Sequence, residues 1–88
     1  MADRNGSDLR RRLASAERLR ERATALALSC LKTPSSRSSA LLSRVTLADH
    51  RFAAAEGLRF DFAEGALRLA IHRLDTELRS GTNVSGGL

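Results

Sequence analysis

The sequence predicts an all-α fold, either a helical hairpin or a three-helix arrangement with coiled-coil-like packing. The large apolar residues are mostly leucine, accompanied by many alanines, and β-branched residues are few. Leucine and alanine lose little conformational entropy in a helix, whereas sheets favour β-branched and aromatic residues. Apolar residues also recur at alternating spacings of four and three, which is the period of one helix face. We therefore expect helices at about 8–32, 38–56 and 61–80.

The length of the chain limits its domain organisation. A chain of 88 residues forms at most one domain. A domain of this size buries only about 60 to 65 per cent of the surface that its unfolded chain exposes, so its core is small. We expect a disordered N-terminus at 1–6, a single helical domain at 7–80 with a loop at 33–37, and a flexible tail at 81–88.

The first predicted helix contains neither glycine nor proline. Ser7 or Asp8 can cap its N-terminus with a side-chain oxygen, and the run continues to Lys32. Pro34 lacks an amide hydrogen and disfavours helical angles at the residue before it, so the helix should end near Lys32. The predicted apolar stripe of this helix comprises Leu9, Leu13, Ala16, Ala23, Ala27 and Cys30, widened by Leu19, Leu26 and Leu31.

The second predicted helix follows a serine-rich loop. Two other starts remain open. Thr33 could cap a helix that begins at Pro34, or Thr46 and Asp49 could form a capping box and leave 35–45 as a loop. The apolar stripe of this helix again steps by four and three, through Leu41, Val45, Ala48, Phe52 and Ala55.

The stretch FAAAEGLRFDFAEGALRLA decides the architecture. If the second helix continued past Gly57, it would place Arg59 on the buried side. Glycine readily leaves helical angles, and Asp61 with Glu64 resembles a capping box for a new helix. We therefore predict a break near Gly57 to Phe60, with a helix on each side. The third helix then has its own stripe of Ala63, Leu67, Ala70, Ile71, Leu74 and Leu78, and Gly81 ends it.

Two alternatives remain for this stretch. One long helix could pass through both of its glycines at a cost of about 2 kcal/mol relative to alanine. Alternatively, Leu58, Phe60 and Phe62 alternate with polar residues as they would in a strand, which would give an α+β fold with a short hairpin at 58–71.

Cysteine usage and the lack of long apolar runs indicate an intracellular protein, either cytoplasmic or nuclear. Cys30 is the only cysteine, so no intrachain disulfide can form. No run approaches the ~20 apolar residues of a membrane span, and MADRNGSD lacks the apolar core of a secretory signal. An organelle transit peptide is disfavoured by the acidic residues Asp3, Asp8, Glu17 and Glu21.

The net charge of +5 comes from basic residues that are all arginine except Lys32. Because guanidinium groups bind phosphate bidentately, one hypothesis is a small basic nucleic-acid-binding module. Phenylalanines interleaved with arginines could also stack on bases, although core packing is more usual for them. Acidic residues are spread among the arginines, which favours a solvated mixed face. The candidate phosphate-binding residues are Arg11, Arg18, Arg22, Arg44 and Arg51.

Catalysis and metal binding are not predicted. Cys30 belongs to the apolar stripe of its helix, where a buried thiol is the ordinary expectation. One cysteine with the isolated residues His50 and His72 does not supply the three or four ligands that a zinc site needs. We therefore expect a protein that is not an enzyme and that binds neither a cofactor nor a metal.

The leading functional hypothesis is a non-enzymatic helical interaction protein. The apolar stripes exceed what a chain of this length covers by itself, and an uncovered stripe needs a second chain. Such a protein would be a small adaptor or complex subunit that assembles with copies of itself or with other helical chains. A helical chaperone or secretion accessory protein would differ only in its partner. The predicted partner-binding residues are Leu41, Val45, Phe52, Phe60, Phe62, Leu67, Ile71, Leu74 and Leu78.

Overall fold

The protein is a bundle of three helices. A computed structural model describes the backbone of residues 2–32 and 35–87 and the side chains of residues 8–32 and 35–80. The helices are α1 (Ala2–Lys32), α2 (Ser36–Ala54) and α3 (Leu58–Gly87). Each helix contacts both of the others, and no strand occurs in the described ranges. The all-α prediction is therefore confirmed, and the alternative hairpin at 58–71 is wrong.

The helices run up, down and up. α1 and α2 are antiparallel, because Arg20 of α1 meets Asp49 of α2 while Cys30, further along α1, meets the earlier residue Ser38. α2 and α3 contact each other and are joined by a short corner at residues 55–57, so they are antiparallel as well. The resulting bundle is elongated, with extents of 58 × 20 × 17 Å.

A serine capping box begins α2. Ser35 has extended backbone angles, its Oγ accepts a hydrogen bond from the Ser38 amide at 3.1 Å, and its own amide donates to Ser38 Oγ at 3.1 Å. These two bonds satisfy amides that the first turn leaves without partners. α2 therefore begins at Ser36, before the predicted residue 38. Thr46 lies inside α2, so the alternative start there is wrong. Residues 33 and 34 lie outside the described residues.

Gly57 forms the corner between α2 and α3. Its φ of 56° lies in the left-handed region, which glycine adopts without steric cost. α2 ends at Ala54, where the predicted helix extended to 56, and α3 begins at Leu58. The predicted break between two helices is confirmed, although it lies at residues 55–57 and not at 57–60, and the alternative of one uninterrupted helix is wrong.

α3 begins earlier than the predicted residue 61. The amides of Arg59 and Phe60 donate to the carbonyls of Glu56 and Gly57 at 3.0 and 3.1 Å, which closes the first turn without a side-chain cap. Asp61 thus lies in the first turn, where its charge complements the positive end of the helix. The predicted role of Asp61 as the N-cap is wrong.

Residues from all three helices form the core. Leu67 and Leu74 of α3 are 0% exposed, and Val45 and Phe52 of α2 are 2% exposed. The ring of Phe60, which is partly buried, lies 4.9 Å from the ring of Phe52. The predicted stripes of the second and third helices are therefore confirmed as core. The buried apolar residues are Leu19, Leu26, Cys30, Val45, Ala48, Phe52, Ala63, Leu67, Ile71 and Leu74.

The predicted stripe of the first helix is only partly right. Leu19, Leu26 and Cys30 are buried, whereas Leu9 and Leu13 are exposed. At 3.6 residues per turn, Leu9 and Leu13 lie roughly 80 to 120° around the helix from Leu19. The contact between Arg20 and Asp49 occurs near the end of α2, so Leu9 and Leu13 extend past α2 and have no α2 residue opposite them. Leu31 is exposed as well.

Both terminal helices are longer than predicted. α1 begins at Ala2, before the predicted residue 8, and α3 ends at Gly87, after the predicted residue 80. Gly81 does not end α3 as predicted. A glycine inside a helix costs only about 1 kcal/mol relative to alanine, and no proline follows Gly81 to stop the helix. Met1 and Leu88 lie outside the described residues. No described helix contains enough consecutive apolar sequence to cross a bilayer.

Candidate protein-interaction surface

The most exposed large apolar side chains lie beside the Gly57 corner. Leu58 is 91% exposed and Phe62, one turn later, is 84% exposed. A single exposed leucine is ordinary, but adjacent large apolar side chains form a patch of the kind that marks interaction sites. Both side chains line a groove of about 460 Å³ between the end of α2 and the start of α3, which we call the corner groove. Its lining is completed by Arg51, Ala54, Ala55, Arg59, Ala63 and Ala66.

The apolar patch continues along the outer side of α3. Leu69 is 52% exposed and lies seven residues after Phe62, so both are on the same side of the helix. Between them Gly65 and Ala66 are exposed, and a side chain at Gly65 would point into open space. The backbone of α3 is therefore accessible between the two large side chains.

Arginines flank this patch on both helices. On α2, Arg37, Arg44 and Arg51 recur every seven residues, which places them on one side of that helix. On α3, Arg59 and Arg73 are separated by two such intervals and also share one side. Arg51 and Arg59 line the corner groove. The other three line a second groove of about 540 Å³ between α2 and α3.

The two grooves therefore belong to one surface. On α2, Arg44 of the second groove lies seven residues before Arg51 of the corner groove. On α3, Arg73 of the second groove lies fourteen residues after Arg59 of the corner groove. The two grooves therefore follow one another along the same side of the α2 and α3 pair. We call this surface the α2–α3 face. It comprises the corner groove, Leu69 and the residues that line the second groove, which are Arg37, Ala40, Leu41, Arg44, His72, Arg73, Thr76 and Glu77.

Positive charge predominates on the α2–α3 face. Glu77 is the one acidic residue that lines either groove, and its Oε2 lies 3.3 Å from Arg37 Nε. Within the described side chains, no carboxylate lies within ion-pair distance of the other arginines of the face, which are Arg44, Arg51, Arg59 and Arg73.

The acidic residues in the middle of α3 face α1 instead. Asp75 accepts hydrogen bonds from Arg22 of α1 at 2.8 Å and from Arg79 at 3.3 Å. Glu64 accepts from the hydroxyl of buried Ser15 at 2.5 Å and from Arg68 at 2.9 Å. These bonds, with that from Ser15 as the largest contribution, lower the pKa of Glu64. Because Glu64 and Asp75 make their contacts on the α1 side, they do not pair with Arg59 and Arg73 on the α2–α3 face.

Most of the predicted partner-binding residues are covered within the chain. Val45, Phe52, Leu67, Ile71 and Leu74 are buried in the core. Three others pack against that core and are partly buried, namely Leu41, Phe60 and Leu78. Phe62 alone belongs to the exposed patch. The corner at Gly57 is the reason, because it folds α3 back onto α2 so that the two predicted stripes cover each other.

Sequence reasoning missed the other members of the exposed patch. Leu58, Ala66 and Leu69 were not predicted, although with Phe62 they follow spacings of four, four and three. This second apolar line on α3, on the side opposite Leu67, was the signal that could have identified them.

The structure does not bring the predicted phosphate-binding residues together. Arg44 and Arg51 lie on the α2–α3 face. The other three belong to α1 and have other contacts: Arg11 pairs with Asp8 at 3.0 Å, Arg22 pairs with Asp75, and Arg18 donates to the Ala14 carbonyl at 3.4 Å.

The chain's single thiol is buried. Cys30 Sγ lies 4.0 Å from the carbonyl of Ser38, and burial raises the pKa of the thiol, so the reactive thiolate is disfavoured. Among the described residues, no group of three or more His, Cys, Asp or Glu side chains could hold a metal ion.

Comparisons of this chain with protein-family models, curated proteins and solved structures give no match. The geometry and charge of the α2–α3 face are therefore the observations that bear on function.

Proposed function

We propose that this chain is a non-enzymatic helical interaction protein, a small adaptor or complex subunit that binds another helical chain through its α2–α3 face. The observation that supports this most directly is the exposure of Leu58 and Phe62, at 91% and 84%, side by side in the corner groove. The large apolar side chains of the core are enclosed, so these two are not needed to complete it.

The energy available from this patch indicates an extended partner. Covering an exposed leucine or phenylalanine contributes about 1.5 to 3 kcal/mol, so Leu58 and Phe62 together supply about 3 to 6 kcal/mol. Association costs about 4 to 15 kcal/mol in lost translational and rotational freedom. The patch at the corner therefore exceeds this cost by at most about 2 kcal/mol, so we expect contacts to extend along the face to Leu69 and the arginines.

A helix suits this surface. The grooves lie between two antiparallel helices, and an amphipathic helix can lay its apolar side into such a groove. From Leu58 to Glu77 the face is about 28 Å long at 1.5 Å per residue, which a helix of about 20 residues would cover. The partner could equally be a client of a helical chaperone or secretion accessory protein, since those roles differ from an adaptor role only in the partner's identity.

A nucleic-acid-binding module is the second candidate, favoured by the arginines without acidic partners and by the exposed ring of Phe62. Phosphate contacts weaken steeply as salt concentration rises, whereas apolar helix pairing does not. Leu58, Ala66 and Leu69 offer neither stacking surfaces nor hydrogen bonds to bases. Nucleic-acid binding would therefore leave the apolar patch without a role.

A purification experiment with a matched control tests the protein-binding proposal. Phe62→Asp places a charge in the patch. Leu28→Asp is the control, because it places the same charge at a 56% exposed leucine of α1, outside the patch. Each variant and the unaltered chain would be tagged and purified from the native cell at endogenous level. We expect a protein partner to co-purify with the unaltered chain and with Leu28→Asp, and to be lost with Phe62→Asp. Retention of the partner by Phe62→Asp, or recovery of nucleic acid without protein, would contradict the proposal.

A further inference from the structure

We infer that the partner of the α2–α3 face is an acidic amphipathic helix from a different chain, with its apolar side against Leu58, Phe62 and Leu69 and its carboxylates against the flanking arginines. This inference rests on the proposed function and adds the chemistry of the partner to it.

The charge of the face indicates an acidic partner. Arg44, Arg51, Arg59 and Arg73 lack carboxylate partners among the described side chains, while Glu64 and Asp75 are neutralised by contacts on the α1 side. Glu77 pairs with Arg37 and so does not offset the remaining positive charge. A partner with carboxylates beside its apolar stripe would supply the missing pairs, whereas a basic partner would be repelled.

The same charge disfavours pairing between two copies of this chain. If a second copy bound by the same face, it would bring a second set of unpaired arginines against the first, and like charges juxtaposed in an interface cost several kcal/mol. The face has Glu77 as its single acidic groove-lining residue, and that residue is already paired. The face is therefore not self-complementary in charge, so the partner is a different chain.

The spacing of side chains along the face fits a partner helix with a seven-residue repeat. Phe62 and Leu69 are separated by seven residues on α3, and so are Arg44 and Arg51 on α2. Seven residues correspond to about 10.5 Å of helix, so apolar and basic groups repeat along the face with the same interval. A partner helix with a seven-residue repeat of apolar positions flanked by acidic positions would match both series at once.

A library of displayed helical peptides tests this inference. The peptides would have about 21 residues, or about 31 Å of helix. Apolar positions would be drawn from Leu, Ile, Phe and Ala, and flanking positions from Glu, Gln and Lys. The bait is the full chain, together with three altered chains. The first combines Arg51→Gln with Arg59→Gln, the second combines Arg10→Gln with Arg18→Gln on α1 as a matched control, and the third is Phe62→Asp.

We expect the unaltered chain to enrich peptides with Glu at the flanking positions about tenfold over those with Lys, which corresponds to two or three exposed ion pairs. The preference for Glu should disappear with the Arg51 and Arg59 substitutions and persist with the Arg10 and Arg18 substitutions. Phe62→Asp should remove enrichment altogether, because it disrupts the apolar contact.

Other outcomes separate this inference from the proposed function. If peptides with Gln or Lys are enriched as strongly as those with Glu, and Phe62→Asp removes them all, the acidic partner is refuted and the protein-binding function stands. If no peptide is enriched, both fail. Parallel measurements use a single-stranded DNA oligonucleotide and vesicles that contain an anionic lipid. Binding to either that depends on Arg51 and Arg59 but not on Phe62 would replace the protein partner. A dimer of the chain that Phe62→Asp dissociates would assign the face to a second copy.

Discussion

Replacing Leu67 by alanine is the substitution that examines the core most sharply. Leu67 is 0% exposed in the middle of α3, whereas Leu58, on the opposite side of the same helix, is 91% exposed. Both substitutions remove the same side-chain atoms from a leucine of α3, of which Leu58 is the first residue and Leu67 an interior one. The difference between the two variants therefore reports chiefly the burial of the side chain.

The expected magnitudes are far apart. Deleting a fully buried leucine side chain costs about 2.7 to 5 kcal/mol, because the transfer energy of the removed atoms is lost and a cavity is left. Substitutions of exposed residues usually stay within about 0.5 kcal/mol. In a domain of this size 1 kcal/mol shifts the melting temperature by roughly 4 to 8 °C, so a loss of about 3 kcal/mol lowers it by roughly 12 to 24 °C. Since small domains are stable by only about 5 to 15 kcal/mol, Leu67→Ala removes a large fraction of the total.

Circular dichroism would measure this contrast through thermal and urea unfolding of the unaltered chain and both variants. We expect a large decrease in the free energy of unfolding for Leu67→Ala and almost none for Leu58→Ala. Equal losses for the two variants, or a larger loss for Leu58→Ala, would show that α3 presents a different side to the core and would refute the proposed packing.

Three further predictions concern the corner and the contact between α1 and α3. Gly57→Ala should lower the free energy of unfolding by about 1 kcal/mol or more, because its φ of 56° is strained for alanine. Gly65→Ala should raise that free energy by about 0.5 to 1 kcal/mol, since Gly65 is helical and a Cβ there meets nothing within 4 Å. Urea unfolding measures both changes in free energy. Changes of the same sign would contradict the positive φ that the structure gives Gly57 at the corner. The lowered pKa of Glu64 contributes stability at neutral pH that is lost as the pH falls below its ordinary value of 4.5 toward the folded value. Ser15→Ala, which removes the main cause, should therefore destabilise the protein more at pH 7 than at pH 3, and an equal loss at both pH values would argue against that bond.

The second and third helices and the corner between them could be predicted from the sequence. Local signals determine these elements. The apolar stripe changes direction near Gly57, and a glycine stands where the backbone needs a positive φ. The stripes through Val45 and Leu67 have the spacing of a helix face and are buried as expected.

The buried side of α1 and the proposed interaction surface could not be predicted in the same way. Which side of α1 is buried depends on where α2 ends, and that end leaves Leu9 and Leu13 uncovered. The bond from Ser15 to Glu64 joins residues far apart in sequence, so no spacing rule indicates it. The positive charge of the α2–α3 face likewise results from which carboxylates turn toward α1, which only the packing of the helices determines.

Photocrosslinking in the native cell tests the central claim most directly, because it reports what lies against the corner groove. A benzophenone amino acid would replace Phe62 in one variant and Leu28, an exposed residue of α1, in a control. We expect irradiation to join position 62 to a distinct protein chain through an acidic helical segment, with no such product from position 28. No adduct at position 62, the same adducts at both positions, or crosslinks to nucleic acid alone would contradict the claim that this face binds a helical partner.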